Sequence, residues 1–426
     1  MILALFIGIF FLLFVLGMPI AFAMLLATTV YAMVAGVDLG FMAIQMFAGL
    51  DSFVLLAIPL FILASEVMNH SSVAKRIFDF ANALVGFIPG GLAHVNVVSN
   101  IIFSGMSGSA VADVGGIGRI CYKAMVKDGY DAPFSAAVTA GAAVIGPIIP
   151  PSIPMVVFSM VSGVSVAKLF FGGAVPGLLI GLFMVVYIFV VAKRRGYPRS
   201  VRQSLPQIIT TSIQGFFPLM TPAIMLGGIW LGFVTITEAA ALAVFYALLL
   251  GVFAYRLMGW SKFVECLRNV FIFCGPILIL LPAASVFGFV LTSENIPTLF
   301  SNYVLSISDN RVFILIAINV LFVILGCMSD PVVNIMMFVP IVMPLANTIG
   351  MDPVHFGVMV VFNCMIGLVT PPVGTLLFCL CGFEGMRLET LVRAMWPFIG
   401  ILVGILVLIT AFPSIVLTLP RLLLGA

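Results

Sequence analysis

Charge is what this chain has little of: Asp, Glu, Lys and Arg make up 8% of its 426 residues, against about 25% in an ordinary soluble domain. That is too little to cover a water-facing surface, which excludes a soluble globular protein. The formal charge of +3 is small and spread out, so nucleic acid is not an expected partner. No GxxxxGK[ST] phosphate loop is present, which removes ATP as an energy source. The three histidines, His70, His94 and His355, show no ligand spacing and read as helix-end or interfacial residues. The seven cysteines include one close pair, Cys379 and Cys381, with no second pair to complete a tetrahedral metal site, so all seven read as small buried hydrophobes. Nothing here offers a foothold for enzyme chemistry.

What the chain does have is apolar sequence, 63% of the total. Nearly charge-free runs such as Ile2 to Leu16, Val175 to Ala192 and Phe398 to Phe412 recur from end to end. With their flanks they can cross a hydrocarbon core of about 30 Å. A removable signal peptide would give way to polar sequence, whereas here the apolar character continues, so the first segment is expected to be a retained span. At about 20 residues per span the chain predicts roughly ten to twelve crossings, with residues 1 to 50 forming one long broken helix or two short ones.

The sequence also repeats itself. GPIIPPSIPMVVF from Gly146 matches GLVTPPVGTLLFC from Gly367, and the double prolines Pro150-Pro151 and Pro371-Pro372 lie 221 residues apart. The same offset joins Asp131 to Asp352 and Pro176 to Pro397. Upstream, SGMSGSAVADV (Ser104 to Val114) aligns with GCMSDPVVNIM (Gly326 to Met336). Two homologous halves follow, residues 1–205 and 206–426. Basic residues then orient them, because cytoplasmic loops collect Lys and Arg. Arg119, Lys123 and Lys127 precede the first double-proline segment and Lys193, Arg194, Arg195, Arg199 and Arg202 close the first half, while the matching stretches of the second half are nearly free of basic residues. After the double-proline segment the bias reverses, with Lys168 alone in the first half and Arg387 and Arg393 in the second. The halves are therefore expected to be inverted in the membrane, with the carboxyl terminus periplasmic. Inverted repeats with interrupted helices are the mark of secondary transporters.

The interruptions carry the chemistry. Ser104 to Ser109 sits between short apolar stretches, as a re-entrant hairpin tip would, and Gly326 to Pro331 repeats the pattern with Asp330 added. The hairpins are expected at about 84–125 and about 311–345. Each double proline removes two amide donors inside a long apolar segment, at about 132–165 and about 354–384, and leaves carbonyl oxygens that a small cation such as sodium can satisfy. Acidic residues at membrane depth are functional by default. Asp330 is the strongest candidate; Asp113 reads as stabilising the start of the helix after the first tip, and Glu66 and Glu238 read as structural.

SGMSGSAVADVGGIG, followed by GPIIPPSIPM and GLVTPPVGTLLF, resembles the large membrane subunit of TRAP transporters, the tripartite ATP-independent periplasmic systems, across essentially the whole chain. The resemblance implies an all-α polytopic protein of two inverted repeats with re-entrant helical hairpins and broken helices, working as an elevator in the bacterial inner membrane. It implies a separate small membrane subunit of about four helices, a periplasmic substrate-binding protein, and sodium-driven import of an organic anion. Sialic acid is the first-choice substrate, with C4-dicarboxylates or keto acids as alternatives, or a dicarboxylate symporter that needs no binding protein. Two sodium sites are expected, one around Ser104, Ser107 and Gly146, the other around Cys327, Ser329 and Thr370. Ser107, Ser152 and Asp330 are expected to face the substrate. A passive channel on the same repeats would differ by conducting without a sodium gradient, and a lipid-modifying membrane enzyme would need an acidic or histidine cluster at one interface.

Overall fold

The computed structural model describes residues 2–200 and 205–425, and within them every regular element is helical. Arg202 of the basic linker lies outside the described residues. Among the described residues eight helices are long and apolar enough to cross a membrane, and seven shorter apolar helices accompany them. Several of the short ones are bounded by glycine or proline, as at Gly17, Pro19, Gly36 and Gly163. The first 50 residues form three helices, Ile2–Val15, Ile20–Ala35 and Leu39–Leu50, rather than the one or two expected. Gly17 and Gly36 adopt positive φ at the two breaks, and Asp38 caps the third helix by accepting from the Gly40 amide at 3.0 Å.

Two helix–tip–helix units follow the tip motifs. In the first, Gly91–Ser107 leads through Gly108 and Ser109 into Ala110–Asp113, a wide turn at Val114–Gly118, and Arg119–Lys127. In the second, Arg311–Met328 leads through Ser329 and Asp330 into Pro331–Thr348. Asp330 occupies the N-cap and Pro331 the first helical position, where its missing amide costs nothing. Each unit precedes an interrupted helix: Ala132–Ala143 and Ile153–Ser162 in the first half, Pro353–Leu368 and Thr375–Glu384 in the second. Both double prolines fall in the gaps, each with a cis peptide bond.

The leading segments of the interrupted helices form the centre of the protein. Every residue from Val354 to Leu368 is buried, as is every residue from Phe134 to Ala143. Amides fasten each to the first arm of its hairpin. Asn96 donates to the Thr139 hydroxyl at 2.7 Å, and Asn363 donates to the Asn319 side-chain oxygen at 2.7 Å. Hydrogen bonds of this kind between helices are worth about 0.6 kcal/mol on average in a membrane. Around the centre lie Ala57–His70, Val166–Arg195, Leu205–Trp230, Ile236–Leu249, Trp260–Ser293 and Leu388–Ala411. Their outer faces present Phe183, Phe245, Phe271 and Val407 to the surroundings, as a bilayer-facing surface requires.

The two aspartates that lie 221 residues apart do different work. Asp352 caps its own helix, accepting from the amides of Val354 at 2.8 Å and His355 at 3.3 Å. Asp131, at the start of Ala132–Ala143, instead pairs with Arg195 at 3.0 Å and accepts from the Tyr197 hydroxyl at 2.6 Å. This ties the end of Val166–Arg195 to the first interrupted helix. Glu238 forms a capping box with Thr235, in keeping with a structural role. Cys379 and Cys381 are only half-buried, so the expectation of seven buried cysteines holds for the other five. His94 and His355 are buried near helix starts, where they contact the carbonyls of Pro89 and Ile409.

Candidate functional site

The first hairpin tip rests on the first double-proline break. Gly108 adopts a φ of +62°, and a Cβ there would stand 2.7 Å from the Pro151 carbonyl oxygen, so only glycine permits the approach. The Ile153 amide donates to the Gly108 carbonyl at 3.4 Å, a backbone link between tip and break. In the second half the close approach is one turn before the tip. A Cβ on Gly367 would lie 2.1 Å from the Gly326 carbonyl carbon, which places the hairpin arm and interrupted helix in backbone contact.

At the first tip Ser109 makes the capping bond, accepting from the Ala112 amide at 3.5 Å. Asp113 turns back instead. Its Oδ1 accepts a hydrogen bond from the Ser107 hydroxyl, and its Oδ2 is buried with no hydrogen-bond partner. That oxygen lies against Gly146, where a Cβ would come within 2.0 Å of it. Two residues expected to hold the first ion, Ser107 and Gly146, are thus joined through a fully buried carboxylate. Ser104 is buried on the same helix and donates to the Ile101 carbonyl at 2.6 Å. A buried carboxylate oxygen without a partner is costly. Together with hydroxyls and break carbonyls it suits a small hard cation such as sodium.

The second set is arranged differently. Ser329 donates to the Asn334 side-chain oxygen, and Asn334 donates back to the Ser329 carbonyl at 3.2 Å. Cys327 is buried beside the Gly326–Gly367 contact, and the Thr370 hydroxyl donates to the Ile366 carbonyl at 2.7 Å. This set contains hydroxyls and carbonyls, with Asp330 adjoining it in sequence. Among the described residues no group of three or more His, Cys, Asp or Glu could hold a metal ion.

Between the tips lies a cavity of about 830 Å³ lined by Ser107, Ser109 and Asp330. Asp330 is accessible there, with Oδ1 accepting from the Val332 amide at 2.8 Å. The structure therefore brings Ser107 and Asp330 to one chamber. Ser152 is placed elsewhere: it is fully buried, its hydroxyl donating to the Pro147 carbonyl and accepting from the Met155 amide at 3.3 Å, and it lines no part of the cavity. The hydroxyl is used in restarting the helix after the break. The cavity also takes in residues remote from both motifs, Ser65 and Glu66 of Ala57–His70 among them.

Comparison with known proteins shows the family. Residues 7–415 match the family model for the tripartite ATP-independent periplasmic transporter, DctM component. The chain is 38% identical to the sialic acid TRAP transporter large permease protein SiaM of Vibrio cholerae serotype O1, over 96% of both chains. It is also 38% identical to the C4-dicarboxylate TRAP transporter large permease protein DctM of Pseudomonas aeruginosa, over 89% of both. Among solved structures it resembles the YdaH transporter of Alcanivorax borkumensis with a TM-score of 0.58, covering 88% of this chain and 89% of that one at 14% identity, a likeness of fold. This chain belongs to the DctM component family of tripartite ATP-independent periplasmic (TRAP) transporters, and is a multi-pass membrane permease rather than an enzyme.

Proposed function

We propose that the chain is the large subunit of a sodium-coupled importer of an organic anion in the bacterial inner membrane, with its carboxyl terminus periplasmic. A small membrane subunit and a periplasmic binding protein complete the system. The observation that supports cation coupling most directly is the unpartnered Asp113 oxygen against Gly146, beside the cavity that Ser107 and Asp330 share. Sodium at that place would neutralise the buried carboxylate and link ion occupancy to the tip through Ser107. Ser329, Cys327 and Thr370 would serve a second ion with hydroxyl and carbonyl oxygens. The two halves would act as inverted repeats, the hairpins and interrupted helices moving together as an elevator against the remaining helices.

Sialic acid is the preferred substrate: the similarity to SiaM supports it, and the similarity to DctM keeps a C4-dicarboxylate as the second reading. Uptake of radiolabelled N-acetylneuraminate into proteoliposomes holding this chain and its small partner tests the proposal, with binding protein and an inward sodium gradient each added or omitted. Uptake that needs both is the expected result. Uptake of succinate alone under the same conditions would replace the substrate, and flux indifferent to both additions would overturn the mechanism.

A further inference from the structure

The cavity has a second polar wall that belongs to neither hairpin. Ser65 and Glu66, consecutive on Ala57–His70, line it together with Phe273 and Gly275 of Trp260–Ser293. Ser65 is 3% exposed and its hydroxyl has no hydrogen-bond partner. Glu66 Oε2 accepts from the Asn269 side-chain amide at 2.8 Å and stands 3.8 Å from His70 Nε2. The Asn269 bond fixes the carboxylate's direction. The lining thus includes two carboxylates, Glu66 and Asp330, and among the described residues no Lys, Arg or His.

That composition bears on what the chamber accepts. A carboxylate only accepts hydrogen bonds, so a ligand group beside Glu66 has to bring an O–H or N–H. A second carboxylate at that end of the ligand would face the Glu66 charge with no Lys, Arg or His in the described lining to offset it, the repulsive device by which binding sites exclude close competitors. We infer that Ser65 and Glu66 form a distal subsite for the hydroxyl- or amide-bearing end of a monocarboxylate and that they reject dicarboxylates. The inference rests on the organic-anion reading and sharpens it: the hairpin tips receive the carboxylate end, and the Ala57–His70 wall reads the other.

The test is thermal unfolding of the full-length purified chain in detergent with sodium, titrated with N-acetylneuraminate, gluconate and succinate. This needs no binding protein, so the permease's own preference is measured. The hydroxylated monocarboxylates are expected to stabilise at concentrations at least about tenfold below succinate, and Glu66→Gln to shrink that ratio to about threefold or less. Ser65→Ala is expected to raise the half-saturating concentration of the hydroxylated ligands by about fivefold while leaving that of succinate in place. Sodium-dependent stabilisation without ligand reports whether each variant is folded. Preference for succinate in the unmodified chain, or an unchanged ratio in folded Glu66→Gln and Ser65→Ala variants, overturns the subsite. If none of the anions stabilises the unmodified chain at any sodium concentration, the organic-anion reading falls, and the subsite with it.

Discussion

Gly326 and Gly367 touch through their backbones, so that the arm of the second hairpin and the helix leading into the second double proline are separated by no side chain at all. Added at Gly367, a methyl group would lie 2.1 Å from the Gly326 carbonyl carbon, and main chain cannot swing aside as a flexible side chain can. Gly367→Ala is expected to destabilise the protein by about 1–3 kcal/mol, the usual range for overpacking. Gly400→Ala, where nothing lies within 4 Å, is the matched control and leaves the melting temperature in place. Thermal unfolding in detergent separates the two; equal melting temperatures for both variants would show that the contact yields.

Removing the charge from Asp113 while keeping its shape isolates its electrostatic role. Asp113→Asn retains a group that can accept from Ser107 and ends the cost of an unpartnered buried carboxylate oxygen. Stability without sodium is expected to hold or rise, while the sodium concentration for half-maximal stabilisation increases by at least about tenfold, equivalent to about 1.4 kcal/mol. A variant that responds to sodium as the unmodified protein does would remove Asp113 from the ion site.

The matched aspartates Asp131 and Asp352 are expected to respond unequally to alanine. Asp352→Ala deletes a helix cap and costs about 1 kcal/mol. Asp131→Ala deletes an ion pair whose partners are more than half exposed, and costs between about 0 and 1 kcal/mol. The smaller loss should also shrink with added salt, whereas the cap's should not. Unfolding at low and high ionic strength measures both.

Asn363→Ala removes the amide that donates to both Asn319 and the Met359 carbonyl. The loss is expected to fall near the membrane average of about 0.6 kcal/mol, with an upper bound of about 1.7. A double-mutant cycle with Asn319→Ala should return a coupling energy in that range, and a cycle that closes at zero would show that the two side chains do not act together.

How far the sequence announced this arrangement depends on the distance over which each signal acts. The double prolines and the serine–glycine tips are local, each sufficient to interrupt a helix, and interruptions stand at both pairs of motifs. The breaks at Gly17 and Gly36 were equally local, yet continuous hydrophobicity masked them, and the first 50 residues divide into three helices rather than one or two. Asp113 stands just after the first tip, but its bond to Ser107 and its approach to Gly146 form only once the hairpin closes and settles on the break, so no local pattern records them. Ser152, expected to face the substrate, has its hydroxyl bonded to the Pro147 carbonyl and the Met155 amide, contacts at the break that no spacing along the chain records. Glu66 is the least legible of all. Its place in the chamber depends on how Ala57–His70 packs against Trp260–Ser293, and no spacing along the chain records that.

The bond from the Ile153 amide to the Gly108 carbonyl joins the first tip to its break through main-chain atoms only. Provided the glycine stays, the side chains along Ser109 to Ala112 can be exchanged without withdrawing either bonded atom. The joint between tip and break is thereby carried by main chain, which leaves the tip's side chains open to redesign without rebuilding what lies beneath them.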